Sequence, residues 1–122
     1  MMARILVVDD EKNILALYKE ELSEEGYEVT TAASAKEALE LLEKDNFDAV
    51  ILDIRMPEED GISALEKMMV KRRDLPVLIN TAYSTYKDNF LTWLAEDYII
   101  KSADLSELKD KIKHILKKKG KA

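Results

Sequence analysis

The feature that most constrains the fold is a regular alternation between short apolar runs and longer stretches with helical spacing. Continuous apolar runs occupy residues 5–8, 49–52, 77–79 and 98–100, as is typical of parallel strands buried on both faces. The stretches between them carry apolar residues three or four positions apart, which predicts amphipathic helices. Strands that alternate with helices predict an α/β fold, with a parallel sheet covered by helices on both faces.

Residues with special backbone or capping preferences mark the boundaries of five β–α units. A first helix, at about 12–25, ends at Gly26, and residues 27–31 alternate as a second strand. Ser34 and Glu37 form a capping box at the start of the second helix. Three further helices are predicted, and they begin at Gly61, after Ser84 or Thr85, and after Asp104 or Ser106.

Length and composition restrict the class of protein. The chain has 122 residues, the size of one domain, with no cysteine and a single histidine, which excludes disulfides, thiolate chemistry and a histidine-rich metal site. Its formal net charge of −6 gives no general attraction to nucleic acid or to anionic membranes. No apolar run approaches the roughly 20 residues of a membrane span. We therefore expect one cytoplasmic domain over residues 1–122, without direct contacts to nucleic acid or membrane.

Reactive polar residues follow or end four of the predicted strands. They are Asp9 and Asp10 after the first strand, Asp53 after the third, Thr81 near the end of the fourth and Lys101 after the fifth. The carboxyl ends of parallel strands meet at one edge of a sheet, so these side chains are expected to share a pocket. Mg²⁺ prefers oxygen ligands such as carboxylates. Three carboxylates, a hydroxyl and an ammonium therefore predict a magnesium-assisted phosphoryl transfer onto an aspartate.

Five short motifs, in this order along the chain, extend the interpretation: Val7-Val8-Asp9-Asp10-Glu11, Leu52-Asp53-Ile54-Arg55-Met56-Pro57, Asp60-Gly61, Thr81-Ala82 and Tyr98-Ile99-Ile100-Lys101. They closely resemble the receiver domain of bacterial two-component response regulators. The resemblance covers the whole chain and implies a single receiver domain. It also implies a flavodoxin-like, doubly wound (βα)5 fold, which is a three-layer sandwich around a five-stranded parallel sheet of order 2-1-3-4-5.

The resemblance implies roles for individual residues. Asp53 resembles the phosphoacceptor, and Lys101 resembles the lysine that pairs with the phosphoryl group. Thr81 resembles the switch hydroxyl, and Tyr98 resembles the aromatic residue that rotates with it. A divalent cation, Mg²⁺ or Mn²⁺, would be bound by Asp9, Asp10, Asp53 and the backbone carbonyl of Arg55.

The phosphoryl donor that the resemblance implies is a sensor histidine kinase or a histidine phosphotransfer protein. Ile14 and Leu17 lie beside the apolar stripe of the first helix. They either widen the contact of that helix with the core or form a docking face for the donor, together with Asn13 and Ser102. The output would be a surface change across the fourth helix, the fifth strand and the fifth helix.

One departure from the family leaves alternatives open. Ser102 follows Lys101, where the family has a proline after a cis bond. A cis bond before serine costs about 2.5–4 kcal/mol, so we expect a trans bond. The departure slightly favours a binding adaptor that signals without phosphorylation, although the intact acidic pair, Asp53 and Thr81 argue against it.

Two other classes of protein fit less well. A magnesium-dependent phosphatase with an aspartate nucleophile needs a second acid two residues after Asp53, where Arg55 stands. A flavin carrier rests on the fold alone. We therefore expect a signalling domain that assists its own phosphorylation and dephosphorylation, and not an enzyme that acts on a free substrate.

Overall fold

Parallel strands and helices alternate along the described residues of this computed structural model, 2–54, 61–82 and 95–118. The strands are β1 (Arg4–Val8), β2 (Glu28–Ala32), β3 (Ala49–Leu52), β4 (Val77–Thr81) and β5 (Asp97–Ile100). The helices are α1 (Lys12–Glu24), α2 (Ala35–Lys44), α3 (Gly61–Lys71) and α4 (Ser106–Lys118). None of these helices is long and apolar enough to span a membrane. The helix predicted after Ser84 or Thr85 lies outside the described residues.

The sheet has the predicted order β2-β1-β3-β4-β5, and every neighbouring pair of strands is parallel. The register places Thr81 opposite Ile100. Backbone hydrogen bonds extend the strand pairing by one residue past the ends of β3 and β5. The Asp53 amide donates to the Val8 carbonyl at 3.0 Å, and the Lys101 amide donates to the Thr81 carbonyl at 2.7 Å. The residues that follow β3 and β5 are therefore fixed along the same edge of the sheet.

Hydrophobic side chains cover both faces of the sheet. On one face α2 and α3 pack through residues such as Leu42 and Leu65. On the other face α1 and α4 pack through residues such as Leu22 and Ile112. Successive residues of a strand point to opposite faces, so each buried strand contributes to both layers. The predicted three-layer α/β sandwich is confirmed.

The C-terminal end of α1 is fixed by Gly26, whose φ of +95° lies in the left-handed region. The Gly26 amide donates to the Ser23 carbonyl at 3.0 Å and the Tyr27 amide to the Leu22 carbonyl at 3.3 Å, which is a Schellman motif. Because the Tyr27 amide closes the helix, it does not join the sheet. The predicted strand 27–31 is therefore wrong by one residue, and β2 starts and ends one position later.

We predict that Gly26→Ala lowers the free energy of unfolding by about 1–2 kcal/mol, the cost of placing an L residue in the left-handed region. A Cβ at this position meets no atom within 4 Å, so the penalty comes from the backbone alone. Gly26→Asn should lose less, because asparagine tolerates this conformation. Urea denaturation measures both variants, and an alanine variant as stable as the wild type would contradict the backbone argument.

Candidate functional site

An acidic cluster lies at the edge of the sheet formed by the carboxyl ends of the strands. It consists of Asp9, Asp10 and Asp53, which each offer a carboxylate oxygen, and these oxygens lie within 4.8 Å of one another. Asp9 and Asp53 are buried, whereas Asp10 is exposed. The register brings Asp9 and Asp53 together, because they directly follow the neighbouring strands β1 and β3. The structure thus assembles the three carboxylates that the sequence places after these strands.

Lys101 places its ammonium against two carboxylates of the acidic cluster. The Lys101 Nζ lies 2.7 Å from Asp9 Oδ2 and 2.9 Å from Asp53 Oδ2, and Glu11 Oε1 is 3.8 Å away. No cis peptide bond occurs among the described residues, so the prediction of a trans bond between Lys101 and Ser102 is confirmed. A serine rather than a proline at position 102 therefore leaves Lys101 in contact with the acidic cluster.

Asp9 is oriented through both of its carboxylate oxygens. The Glu11 amide donates to Asp9 Oδ1 at 2.9 Å, while the Lys101 ammonium contacts Oδ2 at 2.7 Å. The first contact is a local turn that precedes α1, and the second comes from the far end of β5. One side chain therefore connects the start of α1 with the edge of the sheet.

Burial and ion pairing act in opposite directions on the two charged partners. Burial raises the pKa of the Asp9 carboxyl above its ordinary value, and the hydrogen bond from Lys101 offsets only part of that effect. For Lys101, burial is the largest single effect and disfavours the ammonium, but the hydrogen bonds and the negative charges of Asp9 and Asp53 together outweigh burial and raise the pKa of Lys101 above its ordinary value. Lys101 therefore stays cationic throughout the physiological pH range.

The site carries more negative than positive charge. Two unit charges within 4.8 Å repel by at least about 3 kcal/mol at an effective dielectric constant of about 20. Three carboxylates and the Lys101 ammonium sum to −2, and a divalent cation would bring this sum to zero. Carboxylate oxygens are hard donors that suit small divalent cations. The charge and the donor atoms of the acidic cluster therefore fit a divalent cation.

The two predicted switch residues lie on neighbouring strands. Thr81 is fully buried at the end of β4. Tyr98 is half-buried in β5 and packs against the hydrophobic layer that α2 and α3 cover. Movement of either side chain stays a prediction. Arg55, whose backbone carbonyl is the remaining predicted metal ligand, lies outside the described residues.

The predicted docking face divides between core and surface. Ile14 is half-buried and packs against the hydrophobic layer of α1 and α4, so it widens the core contact. Leu17 keeps 43% of its surface exposed, and Asn13 and Ser102 are also exposed. An apolar side chain therefore remains at the surface among polar neighbours, and its docking role stays a prediction.

A buried polar pair beside Thr81 is missing from the sequence predictions. The Asn80 Nδ2 donates to the Tyr18 hydroxyl at 2.7 Å, and both side chains are buried. The helical pattern identifies Tyr18 as a core residue, and the apolar pattern of β4 passes over Asn80. A buried amide needs a hydrogen-bond partner, so an asparagine within an apolar run is the signal that could have revealed the pair.

Comparison with known proteins decides the family. The sequence model of the response regulator receiver domain matches residues 5–113. The chain belongs to this family of signalling domains. The receiver domain is 37% identical over 119 residues to the transcriptional regulatory protein PrrA of Mycobacterium tuberculosis, and the match covers 96% of this chain and 51% of PrrA. The chain thus spans about half the length of the curated relatives that it matches.

Solved structures resemble this receiver domain in both fold and sequence. The response regulator TrrA of Thermotoga maritima, in complex with Mg²⁺-BeF, is 47% identical with a TM-score of 0.91, and the match covers 94% of this chain and 100% of TrrA. TrrA has also been solved in complex with the histidine kinase ThkA. The matching chain of that structure is 47% identical to this receiver domain with a TM-score of 0.89, and the match covers 94% of this chain and 99% of the matching chain.

We predict that Lys101→Met lowers the free energy of unfolding by at least about 2 kcal/mol at neutral pH, because two buried carboxylates lose their cation. The change should also raise the pKa of Asp9 further, since the ammonium that favours its charged form is gone. The deficit relative to the wild type therefore shrinks as the pH falls and the Asp9 carboxylate takes up a proton. Thermal denaturation at a series of pH values measures this dependence.

Lys109→Met is the matched control for this prediction. Lys109 forms a partly exposed ion pair with Glu21 at 2.8 Å, and solvent screening leaves such a pair with little effect on stability. A Lys101 variant that loses no more stability than this control, or whose deficit does not change with pH, would contradict the buried-pair interpretation.

Proposed function

We propose that this receiver domain is the phosphoacceptor switch of a two-component system or phosphorelay, in which Asp53 accepts a phosphoryl group from a phosphohistidine. The observation that carries the proposal is the contact of the Lys101 ammonium with Asp53 and Asp9 inside the acidic cluster. The proposed nucleophile Asp53, the carboxylate oxygens for a metal ion and the Lys101 ammonium therefore lie side by side. Phosphoryl transfer depends mainly on such positioning and on charge stabilisation.

In the proposed step, a carboxylate oxygen of Asp53 forms a bond to phosphorus while the bond from phosphorus to the histidine nitrogen breaks. The departing imidazole nitrogen keeps the electron pair of the broken bond. Lys101, which lies 2.9 Å from Asp53 Oδ2, would pair with an oxygen of the transferred group. Asp9, Asp10, Asp53 and the backbone carbonyl of Arg55 would hold Mg²⁺ or Mn²⁺, whose charge would offset the negative charge of the reacting oxygens.

Phosphorylation would change the charge balance and so drive the switch. Three carboxylates, Lys101 and a divalent cation sum to zero, and a phosphorylated Asp53 leaves a surplus of about −1. The hydroxyl of Thr81 is the proposed donor to this surplus, and Tyr98 would fill the space that Thr81 leaves. A hydrogen bond to a charged group contributes about 1.5–3 kcal/mol, whereas a switch from 1:99 to 99:1 needs about 5.5 kcal/mol. Thr81 alone therefore cannot complete the switch, and Lys101 and loop closure must also contribute.

The proposed phosphoryl donor is a sensor histidine kinase or a histidine phosphotransfer protein. The complex of TrrA with the kinase ThkA supports this choice. The exposed Leu17, together with Asn13, Ile14 and Ser102, is the proposed docking face. The signal would leave through β5, α4 and the predicted helix between β4 and β5.

The proposal also covers the extent, the location and the class of the protein. Residues 1–122 form one receiver domain, which acts in the cytoplasm and is not an enzyme with a free substrate. It assists its own phosphorylation and dephosphorylation through Asp53, Lys101 and Thr81. Family membership and the net negative charge of the site support the signalling role, and the net charge of −6 supports the absence of direct nucleic-acid contacts.

We predict that the wild type gains one phosphoryl mass when it is incubated with acetyl phosphate and Mg²⁺, and that Asp53→Asn does not, because an amide cannot act as the nucleophile. Intact-protein mass spectrometry measures the change. Asp45→Asn is the matched control, since Asp45 lies at the opposite end of the sheet beside Arg4, and this variant should be phosphorylated like the wild type.

Each other outcome points to a different function. A wild type that stays unmodified, both with acetyl phosphate and with a phosphorylated histidine kinase, would contradict the proposal and favour a phosphorylation-independent adaptor. Continuous hydrolysis of acetyl phosphate without a modified protein would favour an enzyme. A phosphorylated Asp53→Asn variant would place the acceptor on another residue.

A further inference from the structure

Asn80 is a buried polar side chain that the proposed reaction does not use. Among the described residues, the buried polar or charged side chains are Asp9, Asp53, Asn80 and Thr81. Three of them are proposed site residues, and Asn80 is the fourth. It lies in β4 directly before Thr81, so it is the one buried polar group of this set without an assigned role.

Asn80 is hydrogen-bonded across the domain to Tyr18 of α1. Its Nδ2 donates to the Tyr18 hydroxyl at 2.7 Å, over a separation of 62 residues. The exposed fractions are only 2% for Tyr18 and 3% for Asn80, so water does not compete for this bond. A hydrogen bond between two buried side chains fixes a distance and a direction, which apolar packing does not.

Stability alone does not explain why Tyr18 and Asn80, rather than two apolar residues, occupy these buried positions. The preceding residues of β4 are Val77, Leu78 and Ile79, and all are fully buried. Replacing both partners of a buried hydrogen bond by apolar groups of similar shape is nearly neutral for stability. Two apolar residues would therefore serve the core about as well, and the pair adds geometric definition instead.

The pair belongs to a closed ring of contacts that passes through the site. The Thr81 carbonyl, next to Asn80, accepts the Lys101 amide at 2.7 Å, and the Lys101 ammonium contacts Asp9 at 2.7 Å. Asp9 in turn accepts the amide of Glu11 at 2.9 Å, at the start of the helix that carries Tyr18. The hydrogen bond between Tyr18 and Asn80 closes this ring.

Electrostatics also connects Tyr18 with the site. Burial raises the pKa of the Tyr18 hydroxyl above its ordinary value, the hydrogen bond from Asn80 opposes this effect, and the charges of Lys101, Asp9 and Asp53 act on the same hydroxyl.

We propose that Tyr18 and Asn80 are a positioning pair, which holds the end of β4 so that Thr81 and Lys101 are correctly placed for phosphoryl transfer to Asp53. This inference rests on the proposed function. The pair would not touch the phosphoryl group, and it would not bind the cation, whose proposed ligands follow β1 and β3. It acts on the β4–β5 side of the site through the Thr81 backbone.

We expect Tyr18→Phe to slow phosphorylation by acetyl phosphate about fivefold at saturating Mg²⁺, the factor that corresponds to one lost hydrogen bond of about 1 kcal/mol. The Mg²⁺ concentration that gives half the maximal rate should not change. Exchange of the Lys101 amide hydrogen should become faster, because its acceptor on Thr81 is less firmly held. Tyr27→Phe is the matched control, since Tyr27 packs against the hydrophobic layer that contains Tyr18 but lies away from β4. This variant should change neither the phosphorylation rate, nor the Mg²⁺ concentration at half the maximal rate, nor the exchange of the Lys101 amide.

The double variant Tyr18→Phe with Asn80→Leu separates positioning from stability. It removes both polar groups, so its free energy of unfolding should return close to the wild-type value, while phosphorylation stays several-fold slow. Recovery of the full rate together with stability would overturn the inference, because the pair would then be a structural contact only. An unchanged rate in Tyr18→Phe would overturn it as well.

These failures differ from failure of the proposed function. If the wild type is not phosphorylated at all, the phosphoacceptor proposal is wrong, and the positioning role falls with it. If the wild type is phosphorylated on Asp53 while Tyr18→Phe reacts at the wild-type rate, only the positioning pair is wrong.

Discussion

A single ammonium, shared by two buried carboxylates, connects the strands that form the functional edge of this receiver domain. Lys101 lies 2.7 Å from Asp9 and 2.9 Å from Asp53, so it joins the end of β5 to the ends of β1 and β3. Without this cation the carboxylates would repel one another at the end of the sheet. The charge balance of the acidic cluster and the orientation of Asp9 at the start of α1 depend on this contact.

Two ion pairs elsewhere in the described residues have a different role. The pairs Lys71–Glu43 and Lys109–Glu21 are short, at 2.6 and 2.8 Å, but both are partly exposed, and solvent screening leaves such pairs with little effect on stability. The stability of the domain therefore comes mainly from the two hydrophobic layers on the faces of the sheet. The free energy gained from these layers offsets the repulsion among the carboxylates of the acidic cluster.

The positions of the strands and the edge on which the site residues lie could be predicted from the sequence, because local residue patterns and the parallel arrangement of the strands determine them. Apolar runs identify the strands, and the carboxyl ends of parallel strands must share an edge, so the proximity of Asp9 and Asp53 follows from the pattern. The start of β2 is missed because the Tyr27 amide is used to cap α1, a competition that a strand pattern does not contain. The bond between Tyr18 and Asn80 is missed for another reason. It joins residues 62 positions apart, and periodicity within a helix or a strand does not reveal which buried side chains meet across the core.

The central claim is that Asp9, Asp10 and Asp53 form one divalent-cation site beside Lys101. Nuclear magnetic resonance of isotope-labelled protein with substoichiometric Mn²⁺ tests it most directly, because the paramagnetic ion broadens the signals of nearby amides. We expect the amide signals of Asp9, Asp10 and Asp53 to broaden first, and excess Mg²⁺ to restore them. Broadening that starts at another acidic surface, such as Glu96 and Asp97, or that excess Mg²⁺ does not reverse, would contradict the claim.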